Sequence, residues 1–209
     1  MIRKSVITAA VCLLASQAGA QSLVDGDAEA GKTKSVTCGA CHGTEGISVN
    51  PQWPNLAGQH AGYIASQLAA FKAGERNNAL MNSQAMMLSE EDMKNLGVYY
   101  EAMTPAVQAV PDPDLIPRGE SLYRGGDKED KTSACIACHG PTGQGNPAAN
   151  YPALAGQHAT YTAQTLRDYA SDARKSGGPA YMMQEIAKTL SEEDIVAVSA
   201  YIQGLQERD

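Results

Sequence analysis

Two short clusters of cysteine and histidine offer the clearest chemistry in this sequence. In each cluster two residues separate the cysteines, and a histidine directly follows the second cysteine. The members are Cys38, Cys41 and His42 in the first cluster and Cys135, Cys138 and His139 in the second. Residues three and four apart share one face of a helix, so the two thiols and the imidazole of a cluster can reach one ligand together.

This spacing is the attachment pattern of a c-type haem, in which two thiols bond to the vinyl groups and the histidine binds the iron. A redox disulfide is one alternative, but it does not need the histidine. A zinc site shared by the two pairs would place them about 15–20 residues apart, whereas 93 residues separate Cys41 from Cys135. We therefore predict two covalently bound haem c groups.

The clusters lie at corresponding places in an internal repeat. Three segments recur in the same order, at offsets of 97, 98 and 102 residues. A two-fold repeat of this length indicates a duplicated domain, because solenoids use shorter and more numerous units. The matching segments are 37–43 with 134–140, 54–63 with 152–161, and 88–93 with 190–195.

The repeat also selects a second axial ligand for each iron. A methionine ligand raises the reduction potential and suits electron transfer. Met81 and Met183 each lie seven residues before the leucine of the repeated LSEED segment, so we predict that they are the ligands. The alternatives are that they only fill the core or that a neighbouring methionine binds instead. The neighbours are Met86, Met87 and Met182.

Two more repeated pairs have polar roles. His60 and His158 end the repeated LAGQH segment; we expect them to open a helix near the surface, with bis-histidine ligation of the iron as the alternative. A haem-ligating histidine normally donates its other N–H to a carbonyl. The carbonyls of Pro54 and Pro152 are our hypothesis for this role, against prolines that only shape a turn.

The elements that position these residues are predicted to be helices, so the fold class is all-α. Apolar residues recur at helical spacing, and no segment alternates with the period of a strand. Ser89 and Ser191 are predicted N-caps, each followed by acidic residues that the helix dipole favours. The other predicted helices are 27–36, 61–71, 119–123 and 159–169.

The repeat divides the chain into two small domains. We predict a signal peptide at 1–20, an N-terminal domain at 21–103 and a C-terminal domain at 118–209. The segment between them, 104–117, contains four prolines and is expected to be an extended linker without helix or sheet. Domains this small bury little apolar surface on their own, and the whole chain has one Trp and one Phe. A large apolar cofactor would enlarge the hydrophobic core of each domain.

The first 20 residues have the pattern of a cleavable export signal. Arg3 and Lys4 precede an apolar run at 6–15, and small residues at 18–20 predict cleavage before Gln21. A retained membrane anchor is the alternative, but the run is shorter than the roughly 18 residues that a spanning helix needs. Cleavage would remove Cys12 and change the formal charge from −7 to −9, which disfavours nucleic acid as a partner.

These motifs together resemble the cytochrome c4 family over nearly the whole chain after residue 20. The resemblance rests on the two C-x-x-C-H clusters, the repeated P-x-L-A-G-Q-H and M-x-x-x-A-x-x-L-S-x-x-D segments, and A-Y-I-Q-G-L at 200–205. It implies two tandem class I cytochrome c domains related by a pseudo-two-fold axis, with His42 and Met81 on one iron and His139 and Met183 on the other. This sequence departs from the pattern in having extra methionines close to Met81.

The resemblance also implies a function and a location. Such a protein would lie in the periplasm, associate loosely with the membrane without a spanning segment, and pass electrons between redox proteins, towards a terminal oxidase. We expect an electron carrier and not an enzyme. One alternative is a dihaem peroxidase, which needs an open or displaceable ligand on one iron. Another is the cytochrome subunit of a larger dehydrogenase, such as a sulfide-oxidising flavocytochrome.

Overall fold

The computed structural model describes residues 22–175 and 180–206. These residues form helices, turns and three isolated β-bridges, with no extended sheet among them. The all-α prediction is therefore confirmed. The predicted signal peptide, its cleavage site and Cys12 lie outside the described residues.

Each half of the chain contributes five α-helices to this structure. The N-terminal five are α1 (Ala28–Lys34), α2 (Gly39–His42), α3 (Ala61–Lys72), α4 (Ala79–Met86) and α5 (Glu90–Glu101). The C-terminal five are α6 (Ile116–Gly125), α7 (Ile136–His139), α8 (Ala159–Ala170), α9 (Ala180–Ala187) and α10 (Glu192–Gln203). Short 3-10 turns lie at Ser35–Thr37, Pro113–Leu115 and Pro147–Ala149.

The last helix of each half begins at the predicted cap. The Ser89 hydroxyl accepts the backbone N–H of Asp92, whose carboxylate accepts the N–H of Ser89 in return. The Ser191 hydroxyl accepts the backbone N–H of Asp194. These bonds satisfy N–H groups that would otherwise lack a partner at a helix start, so the capping prediction is confirmed at both positions.

Each half packs around its last helix. Helices α1 and α3 lie against α5, and α6 and α8 lie against α10. The crossings are close because glycine stands where the backbones meet. A Cβ added at Gly97 would lie 2.5 Å from the carbonyl oxygen of Ala61, and one added at Gly119 would lie 2.3 Å from that of Ala197. The two cores hold the cysteine and histidine clusters against the rest of each half.

The linker prediction is wrong at its C-terminal end. Pro113 opens a 3-10 turn, and α6 starts at Ile116 with Pro117 in its first turn. Proline suits these positions because the first N–H groups of a helix have no intrahelical partner anyway. The helix predicted at 119–123 therefore begins three residues earlier, and the 3-10 turn precedes it.

The remaining linker packs against the C-terminal half. Ala106 is buried, and the Gln108 side chain donates to the carbonyl of Gly156 at 2.6 Å. The Gln203 side chain donates to the carbonyl of Ala109 at 2.7 Å. In the structure this part of the linker is therefore packed against the protein and is not a free connection. None of the helices in the two described ranges is long and apolar enough to cross a membrane.

Candidate haem centres

Each cysteine and histidine cluster folds into a single helical turn. Cys38 and Cys135 cap α2 and α7, and their carbonyls accept the N–H of the following histidine at 2.9 and 3.0 Å. The turn brings the two thiols of each cluster close enough to interact electrostatically. The four thiols are not joined in disulfides.

The two histidines are buried and fixed by proline carbonyls. His42 Nδ1 donates to the carbonyl oxygen of Pro54 at 2.9 Å, and His139 Nδ1 donates to that of Pro152 at 3.0 Å. The hypothesis for both proline carbonyls is therefore confirmed. A proton held on Nδ1 leaves the Nε2 lone pair free for a metal.

The environment of the histidines favours the neutral ring that a metal binds. Burial lowers the pKa of His42 and of His139, and the hydrogen bond to the proline carbonyl opposes this only in part. A neutral imidazole is the form that ligates iron. The geometry and the charge state therefore both suit axial ligation.

The first cysteine of each cluster lies in apolar surroundings. Burial raises the pKa of the Cys38 thiol, and it raises the pKa of the Cys135 thiol to about 11. Redox-active cysteines instead have a lowered pKa, because the thiolate is the reactive form. The disulfide alternative is therefore disfavoured. Across 22–175 and 180–206, no group of His, Cys, Asp or Glu is arranged to hold a metal ion by itself, so the zinc alternative has no support.

Exposure separates the methionines of the N-terminal half. Met81 lies in the first turn of α4 and is half-buried, whereas Met86 and Met87 are 59% and 83% exposed. In the other half Met183 packs against the core cluster that contains Leu122. This arrangement favours Met81 and Met183 over their neighbours, and their role as ligands stays a prediction.

Two arginines, one buried and one half-buried, join the two halves, and neither has a carboxylate partner among the described residues. Arg174 is 3% exposed; its guanidinium donates to the Tyr63 hydroxyl and to Gln67 Oε1, and its Nε has no partner. Arg76 donates to Gln67 Oε1 and to the Tyr161 hydroxyl. Burial alone would raise the pKa of Tyr161, but the two guanidiniums outweigh burial and lower it to about 8. Neither arginine forms an ion pair within the described part of the chain.

Uncompensated buried positive charge is costly unless an anion is close. A haem carries two propionate carboxylates, so this cluster fits the acidic edge of such a group. The residues present therefore fit two haems at their histidines, their thiols and their guanidiniums. Neither arginine was predicted from the sequence.

The repeated LAGQH segment turns out to be the interface between the halves. Gln59 donates to the carbonyl of Ala153 and accepts its N–H, both at 2.9 Å. Gln157 makes the same pair of bonds, also at 2.9 Å, with the backbone of Asn55. Each glutamine side chain is therefore hydrogen-bonded to the backbone of the opposite half, in a reciprocal arrangement.

The repeated histidines complete this interface. His60 Nε2 lies 2.7 Å from the carbonyl oxygen of Gln144, and His158 Nε2 lies 2.9 Å from that of Ser48. His158 is 8% exposed, so the prediction of a surface position is wrong for it. Because both Nε2 atoms meet carbonyls, bis-histidine ligation is disfavoured. Recurrence of five identical residues, more than a helix start requires, was the signal that could have indicated an interface.

Comparisons with known proteins agree with this architecture. The cytochrome c family model matches residues 28–103 and 118–206. Cytochrome c4 of Azotobacter vinelandii is 44% identical over 189 residues, covering 86% of this chain and 90% of the relative. A protein named thiosulfate dehydrogenase electron acceptor, from Thiomonas intermedia, is 36% identical and covers 81% of this chain and 78% of its own length.

A solved structure is similar over the same region. Reduced recombinant cytochrome c4 from Pseudomonas stutzeri superposes with a TM-score of 0.83 at 41% identity, covering 87% of this chain and all of that one. Two haem-attachment turns, two fixed histidines and two cytochrome c matches in tandem thus lead to one assignment. The chain belongs to the cytochrome c family, within the dihaem electron-transfer cytochromes c4, and it carries two haem c groups.

Proposed function

We propose that each half attaches and ligates one haem through its own residues. Cys38 and Cys41 form the thioethers and His42 and Met81 the axial bonds in the N-terminal half. The corresponding residues of the C-terminal half are Cys135, Cys138, His139 and Met183. The observation that carries the proposal is the pair of histidines on one-turn helices, each fixed at Nδ1 by a proline carbonyl.

The bound haem supplies an iron that takes up and releases one electron. The chain then acts by holding the iron six-coordinate and by excluding water. His42 and His139 are buried and neutral, Met81 and Met183 offer a thioether that raises the potential, and the surrounding core keeps the dielectric low. Because both irons would be saturated, the protein is a carrier and not an enzyme, and the peroxidase alternative lacks its open site.

We place the carrier in the periplasm, exported by the segment at 1–20. Donors and acceptors are redox proteins, and the final acceptor is a membrane-bound terminal oxidase, which the protein reaches by peripheral association. The acidic formal charge, −7 for the whole chain and −9 without residues 1–20, favours partners with basic surfaces around their redox centres.

A second candidate is an electron-accepting subunit of a sulfur-compound dehydrogenase. The relative named thiosulfate dehydrogenase electron acceptor, 36% identical to this chain, favours it over a flavocytochrome subunit. The two candidates share the same haem chemistry and differ only in the electron donor.

The experiment is to purify the exported protein and to measure its mass, spectrum and potentials. We expect two haem additions to a chain that begins at Gln21, and haem that acidified organic solvent does not extract. Rapid binding of cyanide or carbon monoxide to the native protein would contradict saturated irons. Reduction by thiosulfate dehydrogenase but not by membranes with quinol, or the reverse, separates the two donors.

A further inference from the structure

One peptide group in the N-terminal half touches the proposed haem ligand and the other half at once. It joins Pro54 to Asn55. Its carbonyl oxygen accepts from His42 Nδ1 at 2.9 Å, and its N–H donates to Gln157 Oε1 at 2.9 Å. Asn55 and Gln157 are 5% and 8% exposed, so no bulk water competes for these bonds.

The C-terminal half contains the same arrangement. The peptide group that joins Pro152 to Ala153 accepts from His139 Nδ1 at 3.0 Å and donates to Gln59 Oε1 at 2.9 Å. Each proposed axial histidine is therefore linked, through a single peptide group, to a glutamine of the opposite half.

A peptide group transmits polarisation from its N–H to its carbonyl. Donation from the N–H shifts electron density towards the carbonyl oxygen, which becomes a stronger acceptor, and chains of hydrogen bonds strengthen one another in a low-dielectric interior. A stronger acceptor at Nδ1 makes the imidazole a more basic ligand. A more basic ligand stabilises ferric iron and lowers the reduction potential of that haem.

We propose that Gln157 and Gln59 are positioning residues that act across the domain interface. Gln157 lowers the reduction potential of the N-terminal haem, and Gln59 lowers that of the C-terminal haem. The inference rests on the proposed roles of His42 and His139 as axial ligands. Because coupling is reciprocal, oxidation of either iron tightens the contact between the halves, and loosening of the contact raises both potentials.

The test is a crossed pair of substitutions in the full-length holoprotein. Gln157→Leu removes the acceptor and keeps a side chain of similar size, and Gln59→Leu is its matched counterpart. Potentiometric titration, with NMR to assign each midpoint to its haem, should show the N-terminal midpoint rising most in Gln157→Leu and the C-terminal midpoint rising most in Gln59→Leu. In the reduced protein the Nδ1 proton of His42 should move upfield only in Gln157→Leu.

Two controls separate polarisation from a loosened interface. His60→Leu removes a cross-domain bond to the Gln144 carbonyl, which belongs to neither peptide group, and should leave the crossed pattern absent. Gln157→Glu keeps an accepting oxygen for the Asn55 N–H and should not raise the N-terminal midpoint. A general loss of packing would raise the midpoint in both controls as well as in Gln157→Leu. The controls therefore also detect a Gln157→Leu variant that is partly unfolded.

Three outcomes would overturn the inference. They are equal shifts of both haems in either leucine variant, a larger shift in the haem of the glutamine's own half, and an effect of His60→Leu as large as that of Gln157→Leu. The wild-type haem count and coordination are measured first. If these fail, the proposed function fails; if they hold and the crossed pattern is missing, only the cross-domain role of the glutamines fails.

Discussion

At the residue scale, we expect the sulfur atom of one methionine to set the reduction potential of each haem. Met81→His should lower the potential of the N-terminal haem by roughly 0.1 V or more, within the range of about 0.8 V that axial ligands cover, because the thioether favours reduced iron. Met86→Leu and Met87→Leu are the controls, since both side chains are largely exposed. Potentiometric titration measures all three. An unchanged potential in Met81→His would remove Met81 from the ligand set.

A second residue-scale prediction concerns pH. The Arg118 guanidinium donates to Asp194, whose side chain is 6% exposed, and this bond holds the pKa of the carboxyl below its usual value of 3.8. A lowered pKa in the folded state stabilises the fold above pH 3.8, and this stabilisation is lost as the pH falls through the folded value. Arg118→Met should therefore reduce the free energy of unfolding by about 1–3 kcal/mol at neutral pH, since it leaves a buried carboxylate with only its hydrogen bonds to Ser191.

The difference between Arg118→Met and the wild type should shrink towards zero as the pH falls below that range. Denaturant unfolding at neutral pH and near pH 3 measures it. Arg124→Met is the control, because Arg124 and its partner Glu120 are both well exposed and exposed pairs contribute little. If Arg118→Met lost the same free energy of unfolding at both pH values, the packing of the Arg118 methylene groups, and not the ion pair, would be what stabilises the fold.

At the scale of elements, we expect that close helix crossings cannot accommodate the Cβ atom that a Gly→Ala substitution adds. Gly119→Ala would force a Cβ into the Ala197 carbonyl on α10, and overpacking of this kind costs about 1–3 kcal/mol. On the same helix, a Cβ at Gly125 meets nothing within 4 Å, so Gly125→Ala should be neutral or should stabilise by up to about 1 kcal/mol through helix propensity. Thermal unfolding of both variants checks this, and equal effects would contradict the crossing geometry.

Local sequence signals predicted some elements and not others. The serine caps and the one-turn haem helices follow from neighbouring residues, so they could be predicted. Helices α4 and α9 were not predicted, and α4 has no continuous apolar stripe that could have indicated it. The start of α6 was missed because proline was treated as a helix breaker, although it suits the first turn of a helix.

At the scale of the whole molecule, the repeat predicted two similar halves but not how they join. The pairing of Gln59 with Ala153 and of Gln157 with Asn55 connects residues about 100 positions apart, and no local periodicity reports such a contact. These cross-half contacts are hydrogen bonds of amides and carbonyls, so hydrophobic patterning also gave no indication of them. Identical recurrence of a polar segment was the only available signal.

The docked halves, and not the length of the chain between them, should determine how fast electrons equilibrate within the molecule. Gly-Ser pairs inserted between Pro111 and Asp112, beyond the part of the linker that packs at Ala106 and Gln108, should leave that rate unchanged. Arg174→Met should slow it, because Arg174 bonds Tyr63 and Gln67 of the other half.

Stopped-flow reduction with potentials measured in parallel is the experiment for this prediction. Arg167→Met is the control for the loss of an arginine, since its partner Glu192 lies on the exposed surface. If the insertion slowed equilibration as much as Arg174→Met, the linker, and not the hydrogen-bonded contacts between the halves, would hold the two haems in position. If neither change had an effect, neither the length of the linker nor the contacts of Arg174 would set the rate.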